Sequence, residues 1–196
     1  MMQSRRQGAP AAPPARLLRL HRHSRVSIMV LGGTSAARTA IARAFHRASP
    51  LSRGPFLSLD CARDEPVLWR ALQQWLMPAG AHAEADPLGA IRGGMLFLDH
   101  VESLAPRSQR LLLMLSRRLQ DEPGMATAWP APARLAAGSA EDLSGTAGRW
   151  FSRDLFDCLD KIRVELPWES PLRGPAASAR VRSAVIIPTS RQAPDR

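Results

Sequence analysis

Apolar and polar residues alternate along this chain in two different periods, and the change from one to the other marks the elements. Val26 to Leu31 is a short continuous apolar run that ends at Gly32-Gly33, the pattern of a strand buried on both faces. A helix is predicted directly after it. There Ala37, Ile41 and Phe45, joined by Ala44, form a stripe at helical spacing, and Arg38, Arg43 and Arg47 fall on the other side. Phe56 to Leu59 predicts a second strand. Asp64, Glu65 and Pro66 predict a helix start, with Leu68, Leu72, Trp75 and Leu76 on one face and Pro78 and Gly80 ending it. Met95 to Leu98 predicts a third strand closed by Asp99. Pro106 opens a long helix whose buried side is expected to carry Leu111, Leu112, Leu115 and Leu119. Arg134 to Gly138 gives a weak strand signal, Leu155 and Leu159 mark a short helix, and Ile162, Val164 and Leu166 alternate as a fifth strand.

Strands separated by helices imply an α/β domain with a mostly parallel sheet. At 196 residues the chain has room for one core plus its ends. Residues 1–23 are basic and lack an apolar period, as does the tail at 174–196, so both are expected to be disordered, leaving residues 24–173 as the folded domain. No apolar run approaches the roughly 18 to 20 residues of a membrane span, and no secretory signal pattern is present, so a cytoplasmic protein without membrane contact is expected. Cys61 and Cys158 show no metal-type spacing and are expected as free thiols.

The net charge of +10 is unevenly placed: residues 1–59 carry ten arginines and no acid, while residues 60–196 hold 17 basic against 17 acidic residues. Such a start is able to attract a polyanion through residues 1–25 in a salt-sensitive way. The single lysine, Lys161, against 26 arginines speaks instead for a bias toward arginine, and no aromatic residues interleave the basic stretch.

Candidate chemistry sits where the first strand meets its helix. A glycine-rich turn in that setting directs backbone N–H groups toward a phosphate at the positive helix end. Gly32-Gly33-Thr34-Ser35-Ala36-Ala37-Arg38-Thr39 occupies this place, but it fails the G-x-x-x-x-G-K-[ST] pattern at Ala37 and Arg38.

The wider context supplies a resemblance. Leu31 to His46, LGGTSAARTAIARAFH, is similar to T-G-E-S-G-T-G-K-E-L-V-A-R-A-I-H of the sigma-54-dependent transcriptional activators. Ser49-Pro50, Gly54-Pro55-Phe56 and Cys61-Ala62 resemble that family's S-P-R-x-x-x-P-F and N-C-A segments. Gly93 to Asp99 resembles G-G-T-L-F-L-D-E, Gln109 to Leu115 resembles Q-x-x-L-L-R-x-L, and Phe151 to Phe156 resembles F-R-x-D-L-Y. Arg163 to Arg173 resembles I-R-L-P-P-L-R. The chain is therefore similar to the central AAA+ domain of these enhancer-binding proteins, in a degenerate and truncated form.

The resemblance implies a P-loop NTPase-like three-layer αβα sandwich with a five-stranded sheet and a helical lid reduced or absent. It also implies a nucleotide site made by Gly32, Gly33, Thr34, Arg38, Thr39 and Asp99, with Asp99 at the position of the Mg²⁺-associated carboxylate. The departures argue against catalysis. Ser35 and Ala37 replace glycines, Arg38 replaces the phosphate-binding lysine, and His100 replaces the water-polarising glutamate. Ala140 stands at the sensor asparagine, and Ser152 and Cys158 stand at the two arginine positions; Arg149 and Arg153 beside them are expected as ordinary surface charges. The stretch from Cys61 to Gly93 is short and contains no G-A-F-T-G-A. Little follows Arg173 to form a lid or a helix-turn-helix, so sequence-specific DNA reading is not expected.

The expectation is a non-hydrolysing regulatory or scaffolding protein linked to transcription, a pseudo-ATPase with no catalytic residues and no cofactor or weak ATP/Mg²⁺ binding. Its partners are expected among AAA+ relatives or the transcription machinery. The alternatives are a weak ATP-binding protein or ATPase, and polyanion binding through the basic N-terminus.

Overall fold

The computed structural model describes residues 21, 25–76, 88–121, 131–143 and 150–167. Its centre is a five-stranded, wholly parallel sheet formed by β1 (Ile28–Leu31), β2 (Phe56–Asp60), β3 (Met95–Asp99), β4 (Arg134–Ser139) and β5 (Ile162–Glu165), in the order β2-β3-β4-β1-β5. Parallel neighbours need crossovers, and the helices α1 (Ser35–Arg47), α2 (Cys61–Leu76), α3 (Pro106–Asp121) and α4 (Arg153–Leu159) supply them.

Strand residues pointing to opposite faces build two separate cores. On one face Ile28, Val30, Met95, Phe97, Ala136, Ile162 and Val164 pack against Ile41, Ala42 and Phe45 of α1. On the other, Met29, Leu31, Leu96, Leu98 and Ala137 meet Leu68, Leu72 and Trp75 of α2, Leu112 and Leu115 of α3, and Leu155 and Leu159 of α4. The result is the αβα sandwich expected from the sequence. Two faces to cover explain why β1 and β3 are continuous apolar runs and not alternating ones.

Several boundaries differ from the sequence reading. β1 begins at Ile28, and Val26, expected as its first residue, is 40% exposed. α2 begins at Cys61 instead of Asp64. Asp60 provides the reason, since its Oδ1 accepts from the Ala62 N–H while Asp64 Oδ2 accepts from the Asp60 N–H, a reciprocal cap that starts the helix earlier. Pro66 consequently lies inside the helix. β4, read as weak, is a six-residue strand buried throughout. Leu166 is buried but lies just beyond β5. On α3 the buried line runs through Ser108, Gln109, Leu112, Leu115 and Ser116, with Leu111 and Leu119 half-buried at its edges.

Cys61 is buried and Cys158 half-buried, both as free thiols. Among the described residues no helix is long and apolar enough to cross a membrane. The tail at 174–196, the basic start apart from His21, the expected helix stop at Pro78 and Gly80, and Arg149 lie outside the described residues.

Candidate functional site

β1 delivers the chain to the end of the sheet, where Gly32 and Gly33 turn it into α1 with φ of 76° and 61°. Only glycine takes this backbone without strain. At Gly33 space demands glycine as well, because a Cβ there would lie 2.9 Å from Leu166 Cδ1. Thr34 caps α1, its Oγ1 accepting from the Ala37 N–H at 3.1 Å. The glycine N–H groups are already engaged: Gly32 N donates to Ser139 O at 2.9 Å, and Gly33 N donates to Pro167 O at 3.1 Å. The segment after β5 thus closes over the turn.

Arg38 sits one turn into α1 and is 1% exposed. Its guanidinium folds back over the turn, Nη1 donating to the carbonyls of Gly32 and Gly33 at 3.2 and 2.8 Å. Nε donates to Asp99 Oδ1 at 2.6 Å and Nη2 to Asp99 Oδ2 at 3.1 Å, a two-point ion pair with a carboxylate that is itself 3% exposed. The planar fork of arginine matches a carboxylate in a way a lysine ammonium does not. Asp99 is pressed from behind by β4, where a Cβ on Gly138 would fall 2.5 Å from Oδ1.

Beyond Asp99 the network continues through His100, which adopts a left-handed backbone at φ 52°. Arg38 Nη2 lies 3.1 Å from His100 Nε2, and His100 Nδ1 lies 3.0 Å from Asp60 Oδ1. Arginine only donates, so Nε2 accepts and the imidazole proton resides on Nδ1, where it donates to Asp60. Burial works to raise the Asp60 carboxyl, but the hydrogen bonds from His100 and Ala62 and the positive charge of its neighbours, Arg63 among them, hold it below its ordinary 3.8. The neighbouring Cys61 thiol is pushed well up by burial and by the carboxylates of Asp99, Glu102, Asp60 and Glu65, so it is not a nucleophile.

Of the six residues singled out in the sequence, Gly32, Gly33, Arg38 and Asp99 converge on one cluster. Thr34 stands at the helix start with an exposed side chain, and Thr39 is half-buried. Sequence reasoning missed Asp60, Gly138, Leu166 and Pro167. Asp60 carried a signal as a potential cap before a helix, whereas the contact of Leu166 with Gly33 has no local signature. Around the site, Ala140 is exposed and its N–H donates to Glu102. Ser152 caps α4 by accepting from the Leu155 N–H, and Arg153 pairs with Asp157 on the surface. Among the described residues no group of His, Cys, Asp and Glu is placed to hold a metal ion.

A strand-turn-helix loop at the end of a 2-3-4-1-5 parallel sheet is matched by sequence comparison: residues 12–165 fit the Sigma-54 interaction domain. The chain belongs to this family. It is 31% identical over 156 residues to the transcriptional regulatory protein XylR of Pseudomonas putida, covering 76% of this chain and 27% of that protein. It is 33% identical over 153 residues to the C4-dicarboxylate transport transcriptional regulatory protein DctD of Pseudomonas aeruginosa, covering 74% and 32%. Among solved structures, NtrX from Brucella abortus in complex with ATP is similar with a TM-score of 0.58 at 25% identity, over 78% of this chain and 34% of that one. The P-loop NTPase domain of an Escherichia coli sigma-54 transport activator shares the fold, with a TM-score of 0.53 at 18% identity over 77% of this chain and 89% of that one. The chain thus spans about a third of the length of the regulators it matches.

Proposed function

We propose that this sigma-54 interaction domain is a non-hydrolysing, regulatory or scaffolding member of its family that works in the cytoplasm through protein contacts with AAA+ relatives or the transcription machinery. The observation that carries the reading is the position of Arg38. Its guanidinium fills the turn that would receive phosphate, and it occupies both oxygens of Asp99. In this arrangement the residues do not fit a Mg²⁺-nucleotide. The glycine carbonyls face an internal cation, the Gly32 and Gly33 N–H groups are spent on Ser139 and Pro167, and both Asp99 oxygens are paired with the Arg38 charge that a metal ion would have to replace. His100 is bound on both ring nitrogens and has no lone pair left for a water. The exposed Arg153, tied to Asp157, supports the same reading for the helix that would act across a subunit boundary.

The test is an equilibrium ATP titration with and without Mg²⁺, together with a phosphate-release assay. The expected result is no saturable binding up to millimolar ATP and no release above background. Steady phosphate release from the purified chain that is abolished by Asp99→Ala would overturn the proposal. A second reading, weak ATP binding without turnover, draws on Gly32 and Gly33, which keep the positive φ of a phosphate-receiving turn. It requires Arg38 to leave Asp99. Mg²⁺-ATP-dependent thermal stabilisation without phosphate release is its signature.

A further inference from the structure

Where α1 ends, the chain presents cations that no carboxylate in the fold neutralises. Arg43 and Arg47 stand one turn apart on the exposed side of the helix, about 6 Å along its axis, and Arg53 follows on the short 3₁₀ helix Pro50–Arg53. All three are exposed, and among the described residues none of them is in an ion pair. The backbone that carries them is fixed. Ser49 Oγ donates to His46 O at 2.7 Å, His46 Nε2 donates to Gly54 O at 3.1 Å, and Leu51 between them is buried. Arg43 lies over the Phe56 ring, 4.4 Å from its centre, a contact that holds the guanidinium without cancelling its charge.

Charge on the other side of the sheet is mixed. Arg63, Arg117, Arg153 and Arg163 pair with Asp60, Asp154, Asp157 and Asp160, while Arg70, Arg107 and Arg110 share α2 and α3 with Asp64, Glu65 and Asp121. Residues 25–59 contain no acid. A preference for arginine over lysine explains the residue type and not the absence of carboxylates. Six more arginines lie in residues 1–25, and this basic start meets the domain at the same corner, because the charge of Arg134 acts on both His21 and His46.

What the surface lacks decides what it fits. Among the described residues the large exposed hydrophobics are Val26, Met114 and Trp150, and none of them is on α1 or the 3₁₀ helix. A protein partner is held by a desolvated apolar centre from which charged residues are depleted. Nucleic-acid interfaces are more polar and far more positive, and guanidinium forks take phosphate oxygens at two points.

We propose that the corner formed by α1 and Pro50–Arg53 is a docking surface for the sugar-phosphate backbone of a nucleic acid, with Arg43, Arg47 and Arg53 as its phosphate contacts. It positions the strand without reading bases.

Fluorescence anisotropy of the full chain with labelled duplexes of random sequence, over a series of salt concentrations, tests this. In the triple variant Arg43→Gln/Arg47→Gln/Arg53→Gln the slope of log affinity against log salt is expected to flatten by about 2–3, with affinity falling about tenfold or more near 0.1 M salt. Arg70→Gln/Arg107→Gln/Arg110→Gln removes the same charge from the opposite side, including one arginine stacked on a ring, and should leave the slope within about one of the parent. Arg47→Gln alone should flatten it by about one, which keeps the test open if a triple variant folds poorly. Duplex DNA and duplex RNA in parallel show which polymer supplies the phosphates, and tighter binding of either supports the proposal. Equal losses in the two triple variants would reduce the effect to net charge and overturn it. So would an unchanged slope in the first triple variant, which leaves binding to the basic start alone, absence of binding by the parent, or polyglutamate that binds as tightly as the duplexes and so marks an acidic protein as the partner.

Discussion

With both of its oxygens bonded by one guanidinium in a buried setting, Asp99 depends on Arg38 for charge balance. Pairs of this kind add little net stability, because desolvation offsets their attraction, but removing one partner strands the other. Arg38→Met is therefore expected to destabilise the domain by about 3–5 kcal/mol. Combined with Asp99→Asn, about 2 kcal/mol of that loss should return. Urea unfolding of the two single variants and the double variant measures the coupling, and additive losses would mean that the two side chains do not act as a pair. A smaller effect attaches to Asp60, whose carboxyl is held below 3.8 in the fold. Its contribution is present above the unfolded value and disappears as pH falls through the lower folded one. Asp60→Asn should flatten the acid side of the stability profile below about pH 5 and leave its shape near neutrality unchanged. An identical acid limb in parent and variant would contradict the assigned bonds. The sequence made Arg38 and Asp99 visible as a substituted lysine and a strand-end acid, yet not as partners. Their meeting depends on a side chain turning back over its own loop, and spacing along the chain does not encode that direction.

At the scale of elements, the sequence was most legible where one pattern repeats. The stripe of α1 and the apolar runs of β1 and β3 are recovered because burial against two helical layers imposes them. β4 was hard to read for a physical reason. Ala136, Ala137 and Gly138 are small because the strand runs against Phe97 and Asp99, and small residues carry little strand propensity. A Cβ at Gly138 would come within 2.5 Å of Asp99 Oδ1 and 2.8 Å of Phe97 Cζ. Asp99 has nowhere to retreat while Arg38 holds it, so Gly138→Ala should cost about 1–3 kcal/mol, read from the denaturant midpoint. A loss below about 0.5 kcal/mol would show that β3 and β4 separate easily, and would weaken the view that Asp99 is fixed. The Asp64-Glu65-Pro66 signal lies inside α2 because Asp60 and Asp64 form the cap together, one turn earlier than that signal implies.

Across the whole molecule, the contacts around the Gly32-Gly33 turn are assembled from segments far apart in sequence. Arg38 comes from α1, Asp99 and His100 from the end of β3, Ser139 from the end of β4, and Leu166 and Pro167 from the exit of β5. A change at one of these places does not reopen the rest. Arg38→Lys puts back the residue type that the family places there, but it leaves the Gly33 N–H bonded to Pro167 and Leu166 against the Gly33 Cα. It also leaves Ala37 where the phosphate-loop pattern has glycine. A lysine retains the charge for Asp99 while losing the two-point geometry, so the variant should fold with reduced stability. Calorimetric titration of Arg38→Lys with ATP and Mg²⁺ is accordingly expected to give no saturable heat at millimolar ligand. Binding well below millimolar would locate the whole obstruction in the arginine, and the Pro167 contact would then be a loose one that nucleotide displaces. Adding Ala37→Gly separates the remaining contributions. If the double variant also stays silent, the obstruction lies in what it leaves unchanged, Ser35 at the other replaced glycine and the Pro167 and Leu166 segment after β5.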